Sequence, residues 1–149
     1  PATDHEIRIT LADNTVLFGG YIVGIELSKS KAGVIMATIN CIDYSRLLDR
    51  NLAKDVYEGM TDKEIIEELV SSYCPGFGIT TTNVIEGVTI SQISFNYIQI
   101  SQALRQICDL TSRNWYIDYN KDIHYFPLTQ NVAPFNIDSS NNEYSQVFP

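Results

Sequence analysis

The sequence predicts an α+β fold in which a curved antiparallel β-sheet or partial barrel is followed by a helix-strand-helix-hairpin module. The first third of the 149-residue chain alternates apolar and polar residues, which is typical of half-buried strands. Two later segments repeat apolar residues at helical spacing. An aromatic-rich run from Trp115 to Phe126 has the pattern of a hairpin.

The first strands are separated by short turn signals. Residues 6–11 alternate apolar with polar side chains, and Asp13-Asn14 supplies a turn before the next strand. The pair Gly19-Gly20 interrupts that strand and predicts a bulge or bend of the kind that curved sheets need. Three or four antiparallel strands are expected. Beyond the glycines, the alternation predicts one face made of Tyr21, Val23, Ile25 and Leu27.

The first long helix has a clear start. After a turn or single helical turn within residues 43–54, Thr61 and Glu64 have the spacing of a capping box, in which each side chain satisfies a free backbone N–H group. Pro75-Gly76 ends the helix. Its predicted apolar stripe is Ile65, Ile66, Leu69, Val70 and Tyr73.

An extended segment and a second helix follow. Residues 79–97 change the phase of their alternation, which indicates a bulge or two short strands. Ser101 is the predicted N-cap of a helix that ends at Thr111. Its predicted apolar stripe is Ala103, Leu104, Ile107, Cys108 and Thr111.

The final hairpin is predicted to be central to the fold, because its aromatic residues offer the most area to bury. With Asn120-Lys121 as its turn, Trp115 is expected opposite Phe126, buried against the second helix. Three regions result: an antiparallel, barrel-like segment at 1–56, an α+β module at 57–127 and a polar connecting segment at 128–149.

Composition excludes several functional classes. The net charge of -8 disfavours a nucleic-acid partner, because neutralising phosphates requires clustered Lys and Arg. The three cysteines, Cys41, Cys74 and Cys108, lack C-x-x-C spacing, so we expect neither disulfides nor a zinc site but a reducing environment. No apolar run reaches the ~20 residues of a membrane span. The ends of the chain leave open whether it is a piece of a longer protein.

No catalytic, cofactor or metal residue is predicted. A metal site around His5 or His124 would need carboxylates from remote segments. The predicted turn pairs Asp118 with Ile123, which would place Asp118 and His124 on opposite faces of the ribbon. The adjacent Glu67 and Glu68 point about 100° apart on a helix and belong to its polar face. We therefore expect that the protein is not an enzyme.

Aromatic residues are the remaining functional candidates. The chain has sixteen Phe, Trp and Tyr residues, most of them at strand positions where core packing explains them. Exposed rings could instead stack on sugars or anchor a protein interface. A shallow cluster of stacked rings would favour sugar binding, whereas an apolar strip along a sheet would favour oligomerisation.

Four segments, in this order and spacing, resemble the hub and tail-associated proteins of bacteriophage tails, a group that includes late control protein D and the VgrG spikes of type VI secretion. They are Leu17-Phe18-Gly19-Gly20-Tyr21-Ile22, Cys41-Ile42-Asp43-Tyr44-Ser45-Arg46-Leu47-Leu48, Tyr57-Glu58-Gly59-Met60-Thr61 with Ile65-Ile66, and Ala103-Leu104 through Trp115-Tyr116-Ile117-Asp118 to Ile123-His124-Tyr125-Phe126.

The resemblance implies a tube-forming β-barrel domain at the end of the tail tube, usually trimeric, with a helical module inserted between strands. Family members have more strands before the first segment and a long continuation after the last, so this chain alone would not close a ring. The expected function is structural, in a phage or prophage tail tip or baseplate, through contacts with other tail proteins and with copies of itself in the full-length protein. The virion tail, assembled in the host bacterial cytoplasm, is the expected location. The alternative is a carbohydrate-binding module that recognises a host surface polysaccharide.

Overall fold

The computed structural model describes residues 5–29 and 33–128, so nearly all of the predicted connecting segment 128–149 lies outside the described residues. Strands β1 (Glu6–Thr10), β2 (Val16–Lys29) and β3 (Ile35–Asp43) form an antiparallel sheet in the order β1-β2-β3. The fold is α+β, and its antiparallel sheets do not close into a barrel within the described part of the chain.

The remaining elements include the predicted helix, extended segment, helix and hairpin in that order, together with two short strands before the first long helix that were not predicted. They are α1 (Ser45–Leu48), β4 (Leu52–Ala53), β5 (Val56–Thr61), α2 (Asp62–Tyr73), β6 (Thr89–Ser94), β7 (Ile98–Gln99), α3 (Ile100–Thr111), β8 (Arg113–Ile117) and β9 (Ile123–Pro127). Strand β4 pairs with β7, β5 with β6 and β8 with β9, all antiparallel.

The hydrophobic core is built from residues that follow Asp43 in the sequence. Every fully buried apolar side chain among the described residues falls between Tyr44 and Tyr125, and α1 and β4 contribute to this core along with the two long helices. Sheet β1-β2-β3 supplies only the partly buried Tyr21. The predicted apolar stripes of α2 and α3 are confirmed by the burial of Ile65, Ile66, Leu69, Val70, Ala103, Leu104, Ile107 and Cys108.

The bulges of the first sheet are not at the predicted pair Gly19-Gly20. Gly19 and Gly20 pair in regular register with β1, whereas the register shifts next to Ile9 and again between Ile22 and Gly24. Because the second shift adds one residue to β2, Tyr21 lies on the face opposite Ile25 and Leu27, so the predicted single face was wrong.

The two helix starts differ from each other. Thr61 accepts from the Glu64 N–H group at 3.2 Å, and the Glu64 carboxylate accepts from the Thr61 N–H group at 2.8 Å, so α2 begins with the capping box. The predicted cap of α3 was wrong. Its N-cap is Gln99, and Ser101 lies inside the helix, where its hydroxyl donates to Asp49.

The hairpin forms, but its predicted register was wrong by one residue. Asp118 faces Asp122 across a three-residue loop in which Lys121 has φ 65°, the left-handed position that follows the tight turn of such loops. Trp115 therefore pairs with Tyr125, and Phe126 pairs with Asn114. Tyr125 is fully buried, while Trp115 is partly buried and packs against the core.

Candidate functional site

Sheet β1-β2-β3 has one apolar face, which the pairing register defines. Side chains of paired residues, and of residues two apart along a strand, share a face. Starting from the pairs Ile9 with Phe18 and Ile25 with Ile39, the register gathers the apolar side chains on one side. We call this set the apolar face: Ile7, Ile9, Phe18, Ile22, Ile25, Leu27, Ile35, Ala37, Ile39 and Cys41.

This apolar face is open to solvent. Leu27 is 73% exposed and Ile35 is 71% exposed, and Ile25, Ile39 and Ile9 each expose nearly half of their surface. The opposite face carries mostly polar residues, so the alternation that predicted strands has produced an amphipathic sheet. Among the described residues, β1 and β3 also have no partner on their outer edges. An exposed apolar sheet face with unpaired edges is typical of protein–protein interaction sites.

The sheet joins the core through its polar face, which carries Gly19, whereas Gly20 has the register of the apolar face and approaches β3 closely. A Cβ atom on Gly19 would lie 3.0 Å from the Tyr44 ring and 3.3 Å from Tyr119 Cβ, and one on Gly20 would lie 2.1 Å from the Ile42 carbonyl oxygen. Both positions therefore need glycine for close approach rather than for a bulge.

Polar and charged side chains of β1 also bind Tyr44 and the hairpin loop at this junction between the sheet and the core. Tyr44 donates to Glu6 Oε1 at 2.6 Å, and Lys121 Nζ lies 3.2 Å from the same oxygen. Arg8 donates to the Asn120 side chain at 3.1 Å. Burial, together with the Glu6 carboxylate, raises the pKa of Tyr44 to about 12, which keeps its hydroxyl a donor.

A pocket of about 290 Å³ opens where the apolar face meets the hairpin. We call it the joint pocket. Its walls combine three aromatic rings, two carboxylates and one aliphatic side chain. They are Phe18, Tyr116, Tyr119, Asp43, Asp118 and Ile117.

Asp118 and His124 lie together beside this pocket, so their predicted separation was wrong. With the observed three-residue loop, Asp118 Oδ2 reaches His124 Nε2 at 3.3 Å. The imidazole stacks on Tyr116, with ring centroids 4.5 Å apart and an interplanar angle of 8°. Burial alone would raise the pKa of Asp118, but N–H donation from Asp122 and Asn120 and the nearby His124 lower it below its ordinary value. The contact fixes the orientation of the imidazole.

The other predicted structural residues are dispersed. Thr61 and Glu64 cap α2, whereas Trp115 and Phe126 lie on the hairpin, on opposite faces of the ribbon because their register positions differ by one. Phe126 contacts Tyr116 edge-on, at 5.8 Å between centroids. Of the predicted set, Gly19 and Gly20 both adjoin walls of the joint pocket: a Cβ atom would lie 3.3 Å from Tyr119 Cβ at Gly19 and 2.9 Å from Asp43 Cα at Gly20.

Two buried carboxylates that anchor the fold were not predicted from the sequence. Asp62 is 0% exposed and accepts from the Gly87 N–H group at 2.8 Å and the Tyr125 hydroxyl at 2.9 Å, with Arg113 Nε 3.7 Å away. Asp122 is also buried and accepts from the side chain and backbone of Asn83. Their partners lie 25 to 63 residues away in the sequence, so no local pattern reveals them.

Metal ligands do not cluster in the described residues: no group of three His, Cys, Asp or Glu side chains there could hold a metal ion. Within the same part of the chain, no helix has the length and apolar character that crossing a membrane requires. Burial raises the pKa of the Cys74 thiol to about 11 and that of the Cys108 thiol to about 12, so both remain protonated.

Neither a family model nor a curated protein matches the chain. Solved structures are similar to it, among them two tail proteins. The 43 kDa tail protein of prophage MuSo2 from Shewanella oneidensis has a TM-score of 0.67 and 12% sequence identity over 85% of this chain and 38% of its own. The tail protein from Neisseria meningitidis MC58 has a TM-score of 0.60 and 15% identity over 76% of this chain and 36% of its own.

These comparisons show that the chain has a fold found in phage and prophage tail proteins. The chain spans little more than a third of the length of each.

Proposed function

We propose that this chain is part of a structural protein of a phage or prophage tail, located in the tail tip or baseplate and acting through subunit contacts. The apolar face carries the proposal of assembly, because it is a continuous set of large apolar side chains left uncovered on an ordered sheet. The likeness of fold to two tail proteins supports the tail setting. Other tail proteins and further copies of the full-length protein are the proposed partners.

The apolar face fits a permanent contact better than a transient one. Fully burying an exposed Ile or Leu side chain contributes about 1.5–3 kcal/mol, so covering one that is half exposed contributes roughly half of that. A partner that covers the whole apolar face therefore gains enough to offset the cost of association. Interfaces this rich in aliphatic side chains are typical of obligate assemblies. The proposed role is structural rather than catalytic, and the virion tail is the proposed location.

Carbohydrate binding is the second candidate, and the three rings around the joint pocket favour it. However, Phe18 and Tyr119 are tilted by 53° to each other, and one face of Tyr116 is already covered by His124. The rings therefore do not form a flat platform for a pyranose face. The apolar strip that favours assembly is much larger than this cluster.

Immunoelectron microscopy of intact particles tests the tail role. Antibodies against the purified chain are expected to label one end of the tail of phage particles induced from the source bacterium. Labelling of the capsid, or a protein found in the cell but missing from particles, would contradict the proposal. Antibodies against the major tail-tube protein provide the positional control.

A further inference from the structure

The joint pocket combines aromatic rings with negative charge but has no cation of its own. None of its six lining residues is Lys or Arg. The chain as a whole carries a net charge of -8, so a basic ligand would also be attracted from a distance.

Both carboxylates keep acceptor capacity for a ligand. Among the described residues, Ser45 donates from its N–H group and its hydroxyl to Asp43, and both bonds go to Oδ1. Asp118 Oδ1 accepts from the N–H groups of Asn120 and Asp122, while Oδ2 has the long 3.3 Å contact to His124. One oxygen of each carboxylate is therefore free or weakly held.

The same fold already places cations between a ring and a carboxylate. Lys121 Nζ lies 5.0 Å from the centroid of Tyr44 and 3.2 Å from Glu6. Arg113 lies 5.2 Å from the centroid of Tyr125, with its Nε atom 3.7 Å from Asp62. The joint pocket repeats this combination, with Tyr116 and Tyr119 as rings and Asp43 and Asp118 as carboxylates, but its lining leaves the position of the cation empty.

We propose that the joint pocket binds the guanidinium group of an arginine side chain from a partner protein. A planar guanidinium can lie flat on a tyrosine face and present a fixed fork of N–H donors to the two carboxylates. An ammonium group is a compact point charge that does not stack flat, and a neutral sugar brings no positive charge to offset the carboxylates. Phe18 belongs to the apolar face, so a partner that covers this face also reaches the pocket. The inference rests on the proposed function for the source of the arginine, and arginine is a frequent anchor of protein interfaces.

A titration of the isotope-labelled chain, followed by NMR, tests this inference. The probe is N-acetyl-arginine methylamide, and the citrulline analogue is its uncharged isostere. We expect saturable shifts at Tyr116, Tyr119 and Asp43 with the arginine probe, and binding roughly fivefold or more weaker with citrulline. Asp43→Asn should weaken arginine binding by a similar factor, because it removes one charge while keeping an acceptor for Ser45.

Asp109→Asn is the matched control, since Asp109 is exposed on α3 and is not among the residues that line the pocket. Equal binding of arginine and citrulline, or unchanged binding in Asp43→Asn, would overturn the inference. So would a methyl glycoside that shifts the same residues when arginine does not, and that result would favour carbohydrate binding. Because the titration uses the isolated chain, its failure leaves the proposed assembly role standing, and failure of tail labelling leaves the titration result unaffected.

Discussion

At the scale of single residues, the fold depends on a buried carboxylate and on the glycine that approaches it. Asp62 begins α2, where the helix dipole favours negative charge, and it holds the backbone of Gly87 and Val88. A Cβ atom on Gly87 would lie 2.3 Å from Asp62 Oδ2 and 2.5 Å from the Arg113 guanidinium. The loop can therefore reach the buried carboxylate only without a side chain at this position.

Gly87→Ala should lower the free energy of unfolding by about 1–3 kcal/mol, because the added methyl group must displace part of the Asp62 and Arg113 contact. The measurement is a urea denaturation curve. Gly24→Ala is the matched control, since its Cβ atom would meet only ordinary contacts with Asn40 at 3.6 Å and beyond. Equal midpoints for the two variants would refute the close approach.

Thr61→Ala should cost about 1 kcal/mol through loss of the hydroxyl that accepts from the Glu64 N–H group. Thr61→Ser keeps the acceptor and should remain close to the wild type. Chemical denaturation measures both, and an unchanged midpoint in Thr61→Ala would show that the capping box contributes nothing to stability. Neither change should affect binding at the joint pocket.

At the scale of elements, the β8–β9 hairpin is held by backbone pairing on one side and by a carboxylate on the other. Strand β9 pairs with β8, and its opposite edge receives residues 80–85 through hydrogen bonds such as Ile123 N–H to Thr80 O at 2.8 Å. Asp122 stabilises that second edge by accepting from Thr82 and Asn83. The irregular segment 80–85 thereby pairs along β9 as a third, strand-like segment beside the hairpin.

This anchor predicts a specific sensitivity to acid. Burial would raise the pKa of Asp122, but donation from Thr80, Thr82 and Asn83 lowers it below its ordinary 3.8. A carboxyl group whose folded pKa lies below its unfolded pKa stabilises the fold above the unfolded value, and loses that contribution as pH falls through the folded value. Stability should therefore decline from about pH 5 downward. Asp122→Asn should be less stable at pH 7, with a smaller further loss on acidification, as urea midpoints at several pH values would measure. A loss as steep as that of the wild type would contradict this role.

Sequence patterns predicted the elements well because their signals are local. The capping box of Thr61 and the apolar stripe of α3 depend on residues a few positions apart, so periodicity was sufficient. The register of the hairpin was wrong because one left-handed residue, Lys121, lengthens the loop by one and exchanges the faces. That single residue also concealed the contact of Asp118 with His124. The joint pocket could not be predicted, since it combines residues 18, 43 and 116–119.

At the scale of the whole molecule, a well-packed core is joined to sheet β1-β2-β3, which buries little of its own surface. The core spans Tyr44 to Tyr125, while the strands before it leave most of their large side chains exposed. We propose that the division between the two units falls after Asp43, because α1 and β4 bury their apolar side chains in the core of the second unit. The first unit is then completed by whatever covers the apolar face.

The two faces of this sheet should contribute differently to assembly of the full-length natural protein. Leu27→Lys combined with Ile39→Lys places two charges on the apolar face, whereas Thr38→Lys places one on the opposite face, beside Ile39. All three positions are exposed in this chain, so the isolated variants should unfold at nearly the same urea concentration. In the full-length natural protein, light scattering should show that the double variant loses the assembled state and that Thr38→Lys keeps it, because burying each charge in an apolar contact costs several kcal/mol. An assembled double variant, with the mass of the wild type, would mean that the apolar face is not the subunit contact, and would leave carbohydrate binding as the stronger candidate.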